Sequence, residues 1–256
     1  LKVKASIGLN RARLVDPEQV GQVVAQPKNV AVGQEIADAA VTLVRDTGKA
    51  LPLEMRRKGT NPLENPYTEA ETVSDRDLVV VFSDDLRTDY GWAFANDFRL
   101  RVRDANVMYV SPETAKTAAD AVMVAVEKAE KVVVPVYSFP VAGRVIHGPN
   151  GPTNSVALPE ASAKLLHQIL AAAAQKTVAI AMGNPYVASD FPEVQTYLCT
   201  FSSAPVSELS AVKALFGEIP IGGHSPVSIP EIAQRGDGIV RAQILKGGQN
   251  RNVAGK

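Results

Sequence analysis

The stretch TVAIAMGNPYVASDFP, residues 177–192, passes from one kind of order to another within a few residues. An apolar run stops at Gly183, and the pair Asn184-Pro185 follows at once. Asn is a favoured helix N-cap, and Pro suits a first helical position because it presets φ and has no N–H to waste there. The run before it is nearly continuous in apolar residues rather than alternating. A strand of that kind has both faces covered, as in a parallel sheet packed between helices. The ends of such strands are also where open α/β sheets bind ligands. The turn at Gly183 therefore has a structural and a functional explanation, and the rest of the chain must decide between them.

Five further runs share this character: VTLVR (41–45), LVVVFS (78–83), NVMYVS (106–111), KVVVPVYS (131–138) and TYLCTFS (196–202). Helical spacing separates them. Val32, Ile36, Ala39 and Ala40 share one side of an amphipathic segment over 32–40, and Ala118, Ala121, Val122 and Ala125 recur within 114–129. Over 159–174 a Pro159-Glu160 start precedes the stripe Leu165, Leu166, Ile169, Leu170, and a fourth segment over 205–216 has Gly217 as its stop. Strands alternating with helices predict right-handed βαβ units. The expected fold is α/β: a three-layer sandwich, with a mostly parallel sheet of about six strands and helices on both faces. Residues 1–31 are expected to form an interdomain linker or arm, and 32–230 the sandwich. Residues 231–256 are expected to be a tail, an extra strand (GIVRAQIL) or the start of a further segment.

Composition narrows the function classes. The 256 residues are 46% hydrophobic and 21% charged, enough for a sizeable core. Lys plus Arg and Asp plus Glu both number 27, so no electrostatic case exists for nucleic acid or an anionic membrane. The densest basic cluster, Arg56-Arg57-Lys58, reads as a solvated loop. No run reaches the roughly 18–20 apolar residues of a membrane span. The single Cys199 excludes an intrachain disulfide and reads as a small buried hydrophobe. The chain opens LKVKASIGLN, without an initiator Met or a signal pattern, and is expected to be a piece of something longer.

The motifs that usually carry chemistry are weak. There is no GxGxxG and no GxxxxGK[ST], so no phosphate cradle and no cofactor is expected. His147, His167 and His224 are far apart and outside any HxxxH or CxxC pattern, so no metal set is expected. No GxSxG elbow occurs, and Ser202-Ser203 ahead of Pro205 fits a helix start. Two places remain. Asp84-Asp85 closes the run 78–83 and is either a carboxylate pair for acid–base or metal chemistry, or a cap or solvated turn. The loop 139–156 is long, rich in Gly, Pro and Asn, and offers Arg144, His147, Asn150 and Asn154. It is either a binding loop at a strand end or a surface excursion. No catalytic constellation stands out.

Four stretches, in order, resemble a known family: EIADAAVTLVRDTGKALPL (35–53), ALPEASAKLLHQIL (157–170), VAIAMGNPYVASDFP (178–192) and AVKALFGEIPIGGHSPVSIP (211–230). Together they resemble the C-terminal α/β sandwich domain of family 3 glycoside hydrolases. The leader KASIGLNRARLVD (4–16) is similar to the linker that leaves the catalytic barrel in the β-N-acetylhexosaminidase-like branch. The resemblance covers about residues 1–230. It implies a partner in cis, the N-terminal (β/α)₈ barrel that carries the nucleophilic Asp, with Tyr186 a candidate for that interface. It also implies a glycan partner and an exported parent, periplasmic or extracellular. In the glucosidase branch the sandwich supplies the general acid, a Glu in the loop before the Leu-Pro helix. Here no Glu or Asp lies between Tyr137 and Leu158, and Glu160 belongs to the helix. In the hexosaminidase-like branch an Asp-His pair in the barrel does the acid–base work, which fits this absence. A second departure is Ser225, where the family has a Leu before the Pro.

The expected function is that of a non-catalytic C-terminal domain. Its parent would hydrolyse O-glycosyl bonds, with β-N-acetylhexosaminides the expected substrates, and the domain would pack on the barrel and border the sugar site. The alternatives are a stand-alone α/β small-ligand or carbohydrate-binding module and a flavodoxin-like regulatory domain.

Overall fold

The computed structural model describes residues 1–55, 74–139, 147–148, 151–152 and 157–244. The chain divides into two compact units, Leu1–Ile36 and the remainder from Ala37 onward. The first unit holds α1 (Lys2–Ser6) and α2 (Pro17–Val23), and Asp16 caps α2 by accepting from the Glu18 N–H at 3.0 Å. None of its residues is buried, so it has no core of its own. The next helix, α3, runs Pro27–Ala40, five residues earlier than the apolar spacing predicts. The amphipathic spacing at Val32 and Ile36 does not translate into burial there; both are exposed.

The second unit is built on one six-stranded sheet in the order β1-β8-β7-β4-β2-β3. Its strands are β1 (Thr42–Asp46), β2 (Ser74–Ser83), β3 (Ala105–Val110), β4 (Lys131–Tyr137), β7 (Thr177–Ala181) and β8 (Thr196–Cys199). Two short strands, β5 (His147–Gly148) and β6 (Gly151–Pro152), form a separate hairpin. All six apolar runs are strands. Five run parallel, and β1 pairs antiparallel with β8 at the edge. Pro135 sits inside β4 where a proline is rarely tolerated; the ladder to β2 lapses opposite it and resumes at Phe82↔Val136.

Alternate residues of each strand enter different cores. Leu78, Val80 and Phe82 of β2 meet α5 (Ala115–Lys128) and α6 (Glu160–Ala173) through Val122, Val126, Leu165 and Ile169. Val79 and Val81 point the other way, toward α4 (Trp92–Arg99) and α7 (Pro205–Leu215), with Phe94, Phe98, Val212 and Leu215. The result is the three-layer α/β sandwich that the sequence predicts. Each fully buried Val or Leu is worth about 1.5–3 kcal/mol, so the two faces contribute comparably.

Three helices lie within two residues of their predicted bounds. α7 ends in a Schellman motif: the Gly217 N–H donates to Ala214 and the Glu218 N–H to Lys213, at 3.1 and 2.9 Å. This needs the left-handed φ of +66° that Gly217 adopts. The helix α4 was not anticipated, because a Gly-Trp start has none of the usual capping side chains. After Asn184-Pro185 the chain forms a short 3₁₀ helix, Pro185–Asp190, rather than an α-helix; Asn184 caps it by accepting from the Tyr186 N–H at 3.1 Å.

Residues 219–244 return along the outer edge of β1. The Gly223 and Ile239 N–H groups donate to Val41 and Leu43 at 3.2 and 2.8 Å, and Ile221 and Arg241 exchange two bonds of 2.9 Å. The Ser225 N–H donates to Asp237 at 2.7 Å, and its buried hydroxyl to Val227 at 2.6 Å. That local acceptor satisfies the Ser225 hydroxyl where water does not reach it. The strap covers a sheet edge that would otherwise expose a row of unpaired backbone groups. Arg241 fastens it, donating at 2.9 Å to Asp46, whose side chain is 1% exposed and also accepts from Thr196. Arg241→Ala is expected to lower stability by about 1 kcal/mol, since water reaches the half-exposed arginine but not the carboxylate. Urea denaturation measures it.

Candidate functional site

The sheet order creates one topological switch point. From β2 the chain crosses to β3 on one side, then returns to β4 on the other, and continues outward through β7 and β8. Crossovers that leave in opposite directions open a crevice between the C-terminal ends of β2 and β4. The two segments that follow these ends are residues 84–91 and 138–157, which contain all six site residues expected from the sequence.

Asp84 bridges the two sides: its Oδ2 accepts from the Phe139 N–H at 3.4 Å. Asp85 turns away into a local ion pair. Its carboxylate accepts from the Arg87 backbone N–H at 2.9 Å and from the Arg87 guanidinium at 2.8–3.2 Å. Hydrogen bonding to the Arg87 side chain holds the exposed Asp85 carboxyl down at about 2. It remains ionised at neutral pH and has no proton to give. The two carboxylates thus serve separate partners. Of the loop candidates, Arg144, Asn150 and Asn154 lie outside the described residues, as does the His147 side chain; the backbone of His147 begins the β5–β6 hairpin. The basic cluster 56–58 is also outside them.

The other candidates have structural partners. His167 lies on the surface of α6, with its Nδ1 2.5 Å from Glu193 and its ring 4.5 Å from Phe191. Ser202 accepts from the Ala204 N–H ahead of α7. Cys199 is fully buried, which pushes its thiol up to about 12. Tyr186 is half-buried against the α5–α6 core. Among the described residues no group of three or more His, Cys, Asp or Glu is placed to hold a metal ion. None of their helices is long and apolar enough to cross a membrane.

Beside the crevice lies a cavity of about 460 Å³, lined in part by Asp85, Thr88, Tyr90, Trp92, Asn96 and Tyr109. Of its aromatic lining, Tyr90 is held by ring contacts: it stacks 5.4 Å from the Tyr137 ring and lies tilted 4.8 Å from Phe139. Burial, opposed by the nearby Arg99 guanidinium, raises Tyr109, which therefore stays a neutral phenol. Gly91 sets the geometry of the whole wall. Its φ is +84°, a Cβ there would stand 2.6 Å from Val81 Cγ1, and its carbonyl accepts from the Tyr109 hydroxyl at 3.3 Å. Its N–H donates to Glu208 on α7 at 2.9 Å, and the same carboxylate accepts from the Phe94 N–H at 2.7 Å. Glu208 is 2% exposed; burial raises its pKa, and the two backbone donors oppose that. Among the described residues the buried Tyr137 hydroxyl has no hydrogen-bond partner of good geometry, though burial and the Glu208 charge both raise its pKa.

The sequence reading missed these aromatic groups and Glu208. Signals for both exist. DYGWAF (89–94) contains the only tryptophan, next to a glycine that follows a strand. Glu208 falls on the stripe Glu208, Ala211, Val212, Leu215 that α7 buries, and a carboxylate at such a position must have partners.

Two outcomes are expected. Gly91→Ala loses about 2 kcal/mol or more, from left-handed strain together with the clash on Val81, measured by thermal or urea unfolding. In NMR titration the Asp85 carboxyl has its midpoint at about 2. Arg87→Ala raises that midpoint toward the ordinary carboxylate value of about 4, because it removes what favours the charged form. The associated stability is present above the ordinary value and is lost as pH falls toward the native midpoint.

No family model matches the chain. A curated β-N-acetylglucosaminidase/β-glucosidase from Cellulomonas fimi is 24% identical over 240 residues, which is 89% of this chain and 37% of that protein. Among solved structures, a glycoside hydrolase family 3 β-N-acetylglucosaminidase from Paenibacillus sp. aligns with a TM-score of 0.56 at 13% identity, over 85% of this chain and 36% of its own. A β-glucosidase from Listeria innocua in complex with isofagomine aligns with a TM-score of 0.61 at 15% identity, over 90% and 31%. The chain thus spans about a third of the length of these relatives, and the structural likenesses concern the fold. In sequence and in fold the chain thus resembles one part of glycoside hydrolases such as these, over about a third of their length.

Proposed function

We propose that this chain is the non-catalytic sandwich domain of a glycoside hydrolase, and that the cavity beside the crevice, at the ends of β2 and β3, borders the sugar site of the parent. The observation that carries the reading is the pairing of an aromatic wall with a lining carboxylate, Asp85, that is held ionised. Tyr90, Trp92 and Tyr109 stand beside Asn96 and Arg99 at the cavity. A pyranose presents C–H faces that pack on aromatic rings and hydroxyls that bond planar amide and guanidinium groups. A retaining glycosidase needs two carboxyl-type groups about 5 Å apart, one of them protonated. No Asp or Glu lies in residues 138–157. Asp85, the aspartate of the β2 loop that lines the cavity, is held ionised by Arg87. The nucleophile and the acid would then both come from the parent's barrel, packed against this domain in cis. N-acetylhexosaminides are the expected substrates, since that branch draws no acid from the sandwich.

The test has two parts. This chain alone is expected to leave aryl N-acetyl-β-glucosaminide and aryl β-glucoside intact, while the parent cleaves at least one of them. Turnover by the isolated chain overturns the non-catalytic assignment. For the border role, N-acetylglucosamine is expected to change Trp92 fluorescence saturably in the millimolar range. Asn96→Ala and Arg99→Ala are each expected to weaken that response several-fold. A response that does not saturate, or that both variants retain, overturns the border role.

A further inference from the structure

The cavity wall depends on a residue that never reaches the cavity. Trp92 is 62% exposed on the first turn of α4, where little apolar packing holds it. The two residues on either side of that turn are fixed from a distance. The Gly91 N–H donates to Glu208 Oε1 at 2.9 Å and the Phe94 N–H to Glu208 Oε2 at 2.7 Å. A helix start leaves its first N–H groups without intrahelical partners, and a nearby side chain usually supplies an acceptor. The Gly91 N-cap has no side chain to do so. The acceptor arrives instead from α7, 117 residues on in sequence. Both carboxylate oxygens are engaged, so the group fixes the orientation of the turn as well as its position.

We propose that Glu208 is a positioning residue that holds Trp92 at the mouth of the cavity by clamping the backbone on both sides of it. The importance of that wall for sugar rests on the reading given above; the clamp itself does not. Loss of Glu208 frees the first turn of α4 while the sheet and its cores persist. A ligand at the cavity would then meet a mobile aromatic surface and bind more weakly, because ordering that surface opposes binding.

Trp92 is the only tryptophan in the chain, so its fluorescence reports this turn without labelling. The experiment compares the wild type with Glu208→Gln, Glu208→Ala and, as a control for general destabilisation, Arg241→Ala. Each is examined by time-resolved Trp92 anisotropy and by amide hydrogen exchange at Gly91 and Phe94, with far-UV circular dichroism to verify the fold. Gln keeps the shape but offers one acceptor in place of two; it is expected to add a nanosecond component to the anisotropy decay and to speed exchange at one or both amides by about tenfold. Ala is expected to do more. Arg241→Ala is expected to leave both readouts at wild-type values. Wild-type anisotropy and exchange in folded Glu208→Gln overturn the proposal, and so does an equal loosening in Arg241→Ala. If Glu208→Ala does not fold, Glu208→Gln decides. A loosened Trp92 in a protein whose wild type gives no saturable sugar response upholds the clamp and overturns only the sugar reading. A sugar response with an unchanged Trp92 does the reverse.

Discussion

Two-sided burial of the central strands is the constraint on which the rest of the structure depends. Leu78 through Phe82 are all at most 1% exposed, so neither face of β2 can be left to solvent. Helices must cover both sides, and each crossover must be long enough to carry one. The parallel strand ends then collect along one edge of the sheet. The switch point lies there because the chain changes direction at that edge, between β2 and β4.

The layer of α4 and α7 shows how the cavity acquires a defined wall. α4 is short and begins at a glycine, so its own sequence does little to fix it. It is tied at one end to α7 and at the other to the turn that follows α7. Glu208 holds its first turn, and Arg101, just past its last turn, donates to Glu218 at 2.6 Å through two nitrogens. Each tie is at least partly buried, and each satisfies groups that would otherwise lose water without compensation. Carboxylates of the sandwich are thus committed to holding backbone and side chains in place.

Much of the fold was legible in residue periodicity. The six apolar runs are the six strands of the main sheet, because a strand buried on both faces leaves an uninterrupted signature. Asn184-Pro185 and Gly217 mark turns by local stereochemistry, which needs no tertiary partner. The resemblance to family 3 glycoside hydrolases was carried by the order of four such punctuated stretches. The pair Asp84-Asp85 left two readings open, because adjacency in sequence does not give two side chains a common partner. One faces Phe139 across the crevice, and the other closes on Arg87.

What the sequence by itself determined was therefore what arises within a few residues: where strands run, where helices start and stop, and which faces are apolar. What only the tertiary structure decided was what depends on partners far apart in the chain. The antiparallel placement of β1, the strap of residues 219–244 along its edge, and the grip of Glu208 on Gly91 and Phe94 belong to this class. The physical reason is that a buried polar group must find a partner somewhere, but its own sequence neighbourhood does not say where. Glu208 on an apolar stripe announces that such a partner exists; only the packing of α7 against α4 shows that it is the turn carrying Trp92.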